Sequence, residues 1–460
     1  MEHTQFTPTG TEVACSCSEL KNTTVGLSQR ILVLGGGISG LSAARSLQEQ
    51  ERDYLLLERC PTFGGLTRTV EVGDFCFDYT GHFLHLSRYC SPGDIPYANL
   101  RNEEWGQITR RSCCFVGGKL VTAPIQYNLA ELPPVLFTEC VDSYNARPSL
   151  VDSETATFRD YVVSGFGQAL SDLFLIPQNE KTMAISLDQL SKHAVRRFFP
   201  APDEKLVRKG MNVDVGDSTS YNSTFWYPKV GGIGRLVDGL RSGVRNCVAN
   251  QDIVAINLQE KTISTRTHGA FRWDTILSSI PLKSFCEMTN DEELMCASTE
   301  LSHSSTVSFN IGLRSSLPSQ FSDIHWLYVP DRAIPFYRIG FYSNIGAGTC
   351  APGCSALYVE VGLPSEEVDH TNLTLDLQPK VMRSLEELGW VDSRDVVCVV
   401  IHVMRHAYVH HTPCRDRAVS TILARLRQSC VFPIGRYGLW DYTSMEDSME
   451  SARVAVSELA

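Results

Sequence analysis

The chain has 460 residues, of which 43% are hydrophobic and 20% are charged, and its formal net charge is −11. A chain of this length can bury a large core in about two or three domains, and the composition excludes a disordered or fibrous protein. The acidic balance, without a long basic run, excludes nucleic acid as an expected partner, because phosphate binding needs clustered Lys and Arg.

The N-terminal segment and the cysteines bear on compartment and metals. MEHTQFTPTG lacks the basic and apolar regions of a signal peptide, so the 16 cysteines are expected to be reduced and the protein cytoplasmic. Residues 1–28 are rich in Thr and Ser and predict a flexible leader. Neither the CSC nor the CAPGC cluster has a second pair at zinc spacing, so we predict no metal. No apolar run approaches about 18 residues, so we predict no transmembrane helix.

The clearest predicted unit is a strand, a glycine turn, a helix and a second strand. RILVLGG is an apolar run that leads into Gly35-x-Gly37-x-x-Gly40, SGLSAARSLQEQ has helical spacing, and DYLLLER is a second buried strand. Gly35 permits a tight turn, Gly37 lets backbone approach a pyrophosphate, and Gly40 lets helix and strand pack closely. Glu58 ends the second strand and is predicted to accept the ribose hydroxyls of an adenosine. A surface glutamate at a strand end is the alternative.

Two further segments favour a flavin. FGGLTRT places Gly64, Gly65 and Arg68 shortly after Glu58. This resembles the second phosphate-contact segment of glutathione-reductase-like FAD proteins, so FAD is the predicted cofactor, and an ordinary glycine loop is the alternative. In FDYTGHFLHL, His82 follows a glycine whose backbone can approach a planar ring closely. We therefore predict His82 beside the isoalloxazine, with an ordinary hydrogen-bonded histidine as the alternative.

The remaining elements complete an α/β fold. LPPVLFTECVDSY and the stretch through Ala194 predict helices, YPKVGGIGRLVDGLRSGV a loop and a helix, and DTILSSIPL a buried strand. Residues 301–345 and 355–363 alternate like an antiparallel sheet. We predict a Rossmann-like, glutathione-reductase-like FAD-binding domain with a helical insertion and an antiparallel β-sheet substrate domain. The predicted bounds are 29–100, 226–295 and 426–460 for the first, 135–225 for the insertion, and 101–134 and 296–425 for the substrate domain.

The stretch IPFYRIGFYSN places Arg338 among aromatic and apolar residues. An unpaired charge is costly in such surroundings, so Arg338 needs an anionic partner, either a ligand phosphate or one of the chain's carboxylates. As a strand, the stretch would alternate between two faces. The core face would carry Tyr337, Ile339 and Phe341, and the other face Phe336, Arg338, Gly340 and Tyr342.

GRYGLWDYTSMEDS places Gly435, Arg436 and Tyr442 before a last helix, which Ser444 is predicted to cap. The N-terminus of that helix would suit the N1–O2 side of a flavin, which becomes negative on reduction. A glycine turn capped into a last helix is the alternative, but it does not account for Arg436 beside three aromatic residues.

Seven segments, in one order over about residues 30–445, resemble the UDP-galactopyranose mutase-like branch of the amine-oxidase/protoporphyrinogen-oxidase flavoproteins. They are GGGISGLSAARSL, FGGLTRT, DYTGHFLHL, APIQYNL, YPKVGGIGRLVDGL, HWLYVPDRAIPFYRIGFYSN and GRYGLWDY. The resemblance implies that reduced flavin N5 attacks a nucleotide-sugar and interconverts pyranose and furanose without net redox change. It also implies a small-molecule substrate, with NAD(P)H as the candidate reductant and a homo-oligomer as the candidate assembly.

The resemblance also implies the site residues. His82 and Arg338 would be catalytic. The substrate would be bound by Gln126, Arg197, Arg338, Tyr408 and Tyr442. FAD would be bound by Gly35, Gly37, Ile38, Ser39, Gly40, Glu58, Arg59, Gly64, Gly65, Leu66, Arg68, His82, Val254, Gly435, Arg436, Tyr442, Ser444 and Met445.

Three departures from the family pattern leave other functions open. Ile125 stands where the family's uridine segment carries an aromatic residue, Phe198 falls where a second diphosphate arginine is expected, and the family's Tyr-Pro reads AYVHHTP. The alternative is an FAD oxidoreductase acting on an amine, a porphyrinogen-like ring or another biosynthetic intermediate. A flavin-binding protein without turnover is the third hypothesis.

Overall fold

The computed structural model describes residues 31–149, 155–194, 199, 202–212, 223–267, 269–346, 348–368 and 373–459. The predicted leader, Arg197 and Phe198 lie outside these ranges.

The strands, in chain order, are β1 (Ile31–Leu34), β2 (Tyr54–Leu57), β3 (Thr69–Val72), β4 (Phe75–Asp78), β5 (Trp105–Thr109), β6 (Ser112–Val116), β7 (Lys119–Thr122), β8 (Thr224–Pro228), β9 (Cys247–Val248), β10 (Ile253–Asn257), β11 (Thr262–Thr265), β12 (Gly269–Arg272), β13 (Thr275–Ser278), β14 (His303–Leu313), β15 (Trp326–Tyr328), β16 (Arg338–Phe341), β17 (Ser355–Pro364), β18 (Val396–Val409) and β19 (Val431–Pro433). The helices are α1 (Ile38–Glu49), α2 (Pro134–Asn145), α3 (Phe158–Phe166), α4 (Gln168–Leu170), α5 (Ile176–Met183), α6 (Glu204–Lys209), α7 (Gly234–Arg241), α8 (Leu282–Glu287), α9 (Glu292–Ser298), α10 (Gln378–Glu387), α11 (Arg415–Gln428), α12 (Gly435–Gly438) and α13 (Met445–Ser457).

A five-stranded parallel sheet has the order β19-β13-β1-β2-β9. Every residue of β1 is buried, as expected of a strand covered on both faces. Helix α1 follows β1 directly and packs against α13, so the last helix covers the first. The strands predicted in RILVLGG, DYLLLER and DTILSSIPL, and the Rossmann-like fold that they imply, are confirmed.

A seven-stranded sheet has the order β18-β14-β17-β16-β15-β6-β7. Strand β14 turns Val307, Phe309 and Ile311 into an apolar core and Ser304, Ser308 and Asn310 to the opposite, polar face. The sheet is antiparallel except for the β6–β15 pair, which is parallel. The predicted antiparallel sheet is therefore wrong at this one pair, where no hairpin turn links the two strands and imposes an antiparallel course.

The alternation predicted for IPFYRIGFYSN holds only inside β16. Phe336 is fully buried in the same core as Ile339 and Phe341, not on the face of Arg338. Tyr342 already belongs to a turn and packs into another core, next to Phe77. The period of two fails at both ends because β16 spans only Arg338–Phe341.

The helices α2–α6 correspond to the predicted helical insertion and share one hydrophobic core with strands β6 and β7. This core includes Phe158, Phe166 and Leu187, and it extends to the short turn at Ile125–Tyr127. Tyr408 and Tyr442 pack against its edge. The insertion core therefore contacts the segment of β18 that carries Tyr408 and the turn that carries Tyr442.

Two general findings concern membranes and thiols. Within the ranges described above, no helix combines the length and the apolarity that crossing a bilayer requires. Every cysteine in those ranges is a free thiol, and the Sγ of Cys350 donates to the carbonyl oxygen of Cys354 at 3.2 Å.

Asp78 joins β4 to the loop before α7, and it gives a prediction of pH dependence. Its buried carboxyl accepts the Thr69 hydroxyl at 2.5 Å, the Tyr227 hydroxyl at 2.7 Å and the Ile233 N–H at 3.0 Å. Burial raises the pKa of Asp78 to about 7. The folded protein therefore binds this proton more tightly than the unfolded chain, whose Asp pKa is about 4.

Stability contributed by the Asp78 proton is fully present below about pH 4 and is lost as the pH rises through about 7. We expect Asp78→Asn to flatten that decline, as measured by guanidinium unfolding between pH 5 and 8. The control is Asp74→Asn, at an exposed aspartate in the adjacent turn. A variant that keeps the wild-type slope would contradict this assignment.

Candidate functional site

The first glycine turn lies between β1 and α1. Gly35 has φ 92°, a left-handed conformation that favours glycine. A Cβ at Gly40 would lie 1.8 Å from the Gly35 carbonyl oxygen, whereas a Cβ at Gly37 would meet nothing closer than the Gly65 Cα, at 3.8 Å. Gly40 thus serves packing, and Gly37 leaves room at the N-terminus of α1, where backbone N–H groups favour an anion.

The second glycine segment folds onto the first. The Gly64 N–H donates to the Gly36 carbonyl at 2.8 Å, and Gly37 and Gly64 form an isolated parallel bridge. The Arg68 Nε donates to the Gly65 carbonyl at 2.8 Å. The structure therefore brings together the two segments that the sequence placed at one pyrophosphate.

Glu58 follows β2 and is buried beside the same turn. Its Oε2 accepts the Gly36 N–H at 2.5 Å, and its Oε1 accepts the Cys60 N–H at 2.7 Å. The surface glutamate considered as the alternative is excluded, because Glu58 is only 8% exposed. Its neighbour Arg59 is exposed.

The C-terminal turn reaches the same end of α1. Gly435 has φ 72°, and a Cβ there would lie 2.1 Å from the Ser39 Oγ in the first turn of α1. Ser444 caps α13 through a capping box with Asp447, as predicted. Met445, the first residue of α13, is partly buried. Two chain segments that are distant in sequence therefore meet at the N-terminus of α1.

Arg436 lies among three tyrosines. Its guanidinium carbon is 4.2 Å from the ring centre of Tyr442 and 5.7 Å from those of Tyr408 and Tyr437. Nη1 donates to the Thr443 carbonyl at 3.0 Å, and Nη2 donates to the Ala407 carbonyl at 3.1 Å. Backbone on both sides thus fixes this cation in place.

His82 lies near both arginines of the site. Burial, together with the charges of Arg338 and Arg436, lowers the pKa of His82 to about 3, so its imidazole is neutral at pH 7. Its Nδ1 is buried and has no hydrogen-bond partner among the described residues. The structure therefore brings together His82, Arg338, Arg436, Tyr408 and Tyr442.

Arg338 is paired with a carboxylate, which the sequence left as the alternative. Its Nε donates to Glu360 Oε2 at 2.5 Å, and its Nη2 donates to Oε1 at 2.7 Å. Glu360 lies opposite Arg338 on β17, and its side chain is 1% exposed. The Thr80 hydroxyl donates to the same carboxylate. Nη1 is the guanidinium nitrogen that this two-pronged pair leaves out.

Tyr358 occupies the space that two glycines leave. A Cβ at Gly81 would lie 2.1 Å from the Tyr358 Oη, and a Cβ at Gly340 would lie 2.1 Å from its Cζ. The gap predicted beside Arg338 is thus filled by a tyrosine of the chain, and Gly81 serves that packing.

Two further predicted residues lie on other elements of the fold. Gln126 is 2% exposed in the turn that packs against the insertion core. Val254 lies on β10 and is 43% exposed. Arg197 is outside the described residues.

The sequence reasoning missed Glu360 and Tyr358. The available signal was SALYVEVGL, where a single acid interrupts an apolar strand just as Arg338 does. Two charges of opposite sign inside two buried strands indicate a pair.

The face that carries Glu360 and Tyr358 is suited to a polar group. Several buried polar atoms on or near this face have no partner among the residues that the structure describes: Ser304 Oγ, Ser308 Oγ, Tyr358 Oη, His402 Nε2, His82 Nδ1 and Arg436 Nε. Because buried polar groups are normally hydrogen-bonded, this arrangement fits a cofactor or ligand with several donors and acceptors.

Comparisons with known proteins concern the fold. Residues 33–92 match the family model described as an NAD(P)-binding Rossmann-like domain. The crystal structure of reduced UDP-galactopyranose mutase is similar with a TM-score of 0.86 and 24% identity, covering 94% of this chain and 95% of that one. A putative protoporphyrinogen oxidase from Exiguobacterium sp. 255-15 has a TM-score of 0.72 and 19% identity over 94% and 98% of the chains.

Cyclohexylamine oxidase from Brevibacterium oxydans IH-35A is similar with a TM-score of 0.63 and 12% identity over 94% and 99% of the chains. Three solved enzymes with different activities thus share this architecture almost from end to end. The chain has the fold of the UDP-galactopyranose mutase, protoporphyrinogen oxidase and amine oxidase structures.

Proposed function

We propose that this chain is an FAD-dependent enzyme of the UDP-galactopyranose mutase type, which interconverts the pyranose and furanose forms of a nucleotide-sugar. One observation carries the proposal: Arg338 and Arg436, from distant parts of the sequence, lie near a neutral His82, and Tyr408 and Tyr442 lie against Arg436. The likeness to reduced UDP-galactopyranose mutase supports the same reading.

In this proposal FAD lies along the two glycine segments. The Gly35–Gly40 turn and Gly64–Gly65 receive the pyrophosphate at the N-terminus of α1, and Glu58 receives the adenosine ribose. His82, Gly435 and Arg436 contact the isoalloxazine. The unpartnered atoms His82 Nδ1 and Arg436 Nε fit that assignment.

Reduced flavin, when bound, supplies through N5 a nucleophile for the anomeric carbon of the sugar. The residues of the chain orient the substrate and balance its charge. Neutral His82 accepts or donates a hydrogen bond without adding charge. Arg436 is held by two backbone carbonyls, so its charge is in place before a ligand arrives.

The substrate diphosphate is assigned to Arg338, Tyr408 and Tyr442. The ring centres of Tyr408 and Tyr442 are 5.5 Å apart, and in this proposal both hydroxyls donate to one diphosphate. Gln126 is assigned to the base. Ile125, which precedes it, is fully buried and offers no aromatic face for stacking.

The deciding experiment uses the yellow protein reduced with dithionite under argon and supplied with UDP-galactopyranose. We expect furanose product with reduced protein and none with oxidised protein. NAD(P)H in place of dithionite tests the reductant. Peroxide release from amines or porphyrinogens, without any sugar product, would overturn the proposal.

The Arg338–Glu360 pair favours a second candidate, an FAD oxidoreductase. Glu360 already balances the charge of Arg338, so the pair as a whole is neutral. An uncharged substrate fits a neutral pair better than a diphosphate does. The peroxide assay is the positive test for this candidate.

A further inference from the structure

We propose that Lys181 and Gln178 of α5 are positioning residues, which hold residues 329–337 against the helical insertion and thereby fix Arg338 at the ligand site. We call residues 329–337 the β15–β16 connection. The proposal rests on the proposed function, because it assigns Arg338 to the substrate.

Lys181 binds the β15–β16 connection at both ends. Its Nζ donates to the carbonyl oxygens of Val329 at 2.7 Å, Asp331 at 2.8 Å and Phe336 at 2.6 Å. An ammonium group has three protons, and each of them has an acceptor here. A single side chain therefore ties the two ends of the connection together. It thereby fixes the position of the end that precedes Arg338.

Gln178 adds a bond at the residue that immediately precedes Arg338. Its Nε2 donates to the Tyr337 carbonyl at 3.1 Å. Gln178 and Lys181 are three positions apart on α5 and therefore share one face of the helix. That face of α5 is hydrogen-bonded to the connection from Val329 to Tyr337.

The helix that carries both residues is itself fixed to the sheet. A Cβ at Gly362 would lie 2.1 Å from the Lys181 carbonyl oxygen, so α5 packs directly on β17 two residues beyond Glu360. Glu180, between the two positioning residues, pairs with Arg332 of the connection and with Arg159 of α3. The insertion thus reaches both strands that carry the Arg338–Glu360 pair.

The test compares Lys181→Met with wild type in the FAD-loaded protein. Methionine keeps much of the chain length and removes the three donors. We expect hydrogen exchange over residues 334–342 to accelerate at least tenfold, while FAD absorbance is retained. UDP affinity should fall about tenfold, but less than twofold when Arg338→Ala is already present, because the effect acts through Arg338.

Lys209→Met, at an exposed lysine of the same insertion, is the control and should change neither quantity. Gln178→Met removes one bond and should act in the same direction with a smaller effect, so the proposal stays testable if Lys181→Met does not fold. Unchanged exchange in either folded variant overturns the proposal. Equal losses of UDP affinity with and without Arg338 also overturn it.

Failure of the proposed function gives a different result. If the wild type binds no UDP, the nucleotide ligand is wrong. The exchange measurement then decides alone whether Lys181 holds the connection.

Discussion

Removing either member of the Arg338–Glu360 pair is expected to destabilise the protein by about 3–5 kcal/mol, because the remaining charge stays buried without its partner. The Arg338 side chain is 17% exposed and the Glu360 side chain 1% exposed. The loss should therefore be larger for Arg338→Ala, which leaves Glu360 with the Thr80 hydroxyl. Guanidinium unfolding at pH 7 measures both.

Two controls separate the pair from its surroundings. The double variant Arg338→Met/Glu360→Leu should recover most of the lost stability, since apolar side chains of similar size can replace a buried pair. Arg394→Ala, which breaks an exposed pair with Asp392, should have little effect. If the two single variants, at Arg338 and at Glu360, are as stable as the wild type, the pair is not buried in solution.

The two single variants, Arg338→Ala and Glu360→Ala, should differ in their affinity for UDP. Arg338→Ala should weaken UDP binding at least tenfold, since a charge-assisted phosphate contact is worth about 1.5–3 kcal/mol. Glu360→Ala should keep or raise the affinity, because Nε and Nη2 become available to the phosphates. If Glu360→Ala weakens UDP binding as strongly as Arg338→Ala does, Arg338 supports UDP binding only as part of its pair with Glu360.

The second large effect is expected at the glycine turn, where Gly37→Ala should weaken FAD binding about a hundredfold without unfolding the protein. Gly37 has φ −75°, which alanine adopts, and its added Cβ would meet only Gly65 Cα at 3.8 Å. The stability without cofactor should change by less than about 1 kcal/mol. The methyl group blocks the approach of a pyrophosphate, so FAD affinity should fall about a hundredfold, ~2.7 kcal/mol.

Gly40→Ala is the opposite case. Its Cβ would lie 1.8 Å from a backbone oxygen, so we expect an unfolded or insoluble protein. Gly106→Ala, with nothing closer than 3.9 Å and far from the turn, should bind FAD normally. Flavin absorbance and thermal unfolding distinguish these outcomes, and a fully yellow Gly37→Ala protein would contradict the pyrophosphate assignment.

The sequence predicts the dinucleotide half well because its signals are local. Apolar runs give β1 and β2, the glycine spacing gives the turn, and Ser444 with Asp447 gives the start of α13. Each of these is decided within a few residues.

The polar face could not be predicted in the same way. That Arg338 meets Glu360 depends on the register of β16 against β17. That Tyr358 fills the space of Gly81 and Gly340 depends on three separate segments. The phosphate role assigned to Arg338 stays a prediction.

The order of strands in the parallel sheet also governs how the protein is made. Its central strand β1 lies between β2, which follows at once, and β13, whose own neighbour β19 begins only at Val431. At ~5–20 residues per second, a ribosome needs roughly 20–80 s to proceed from β1 to β19. During that time the nascent sheet lacks its last strand and exposes an unpaired edge. The parallel sheet can therefore be completed only after residues 431–433 have been synthesised.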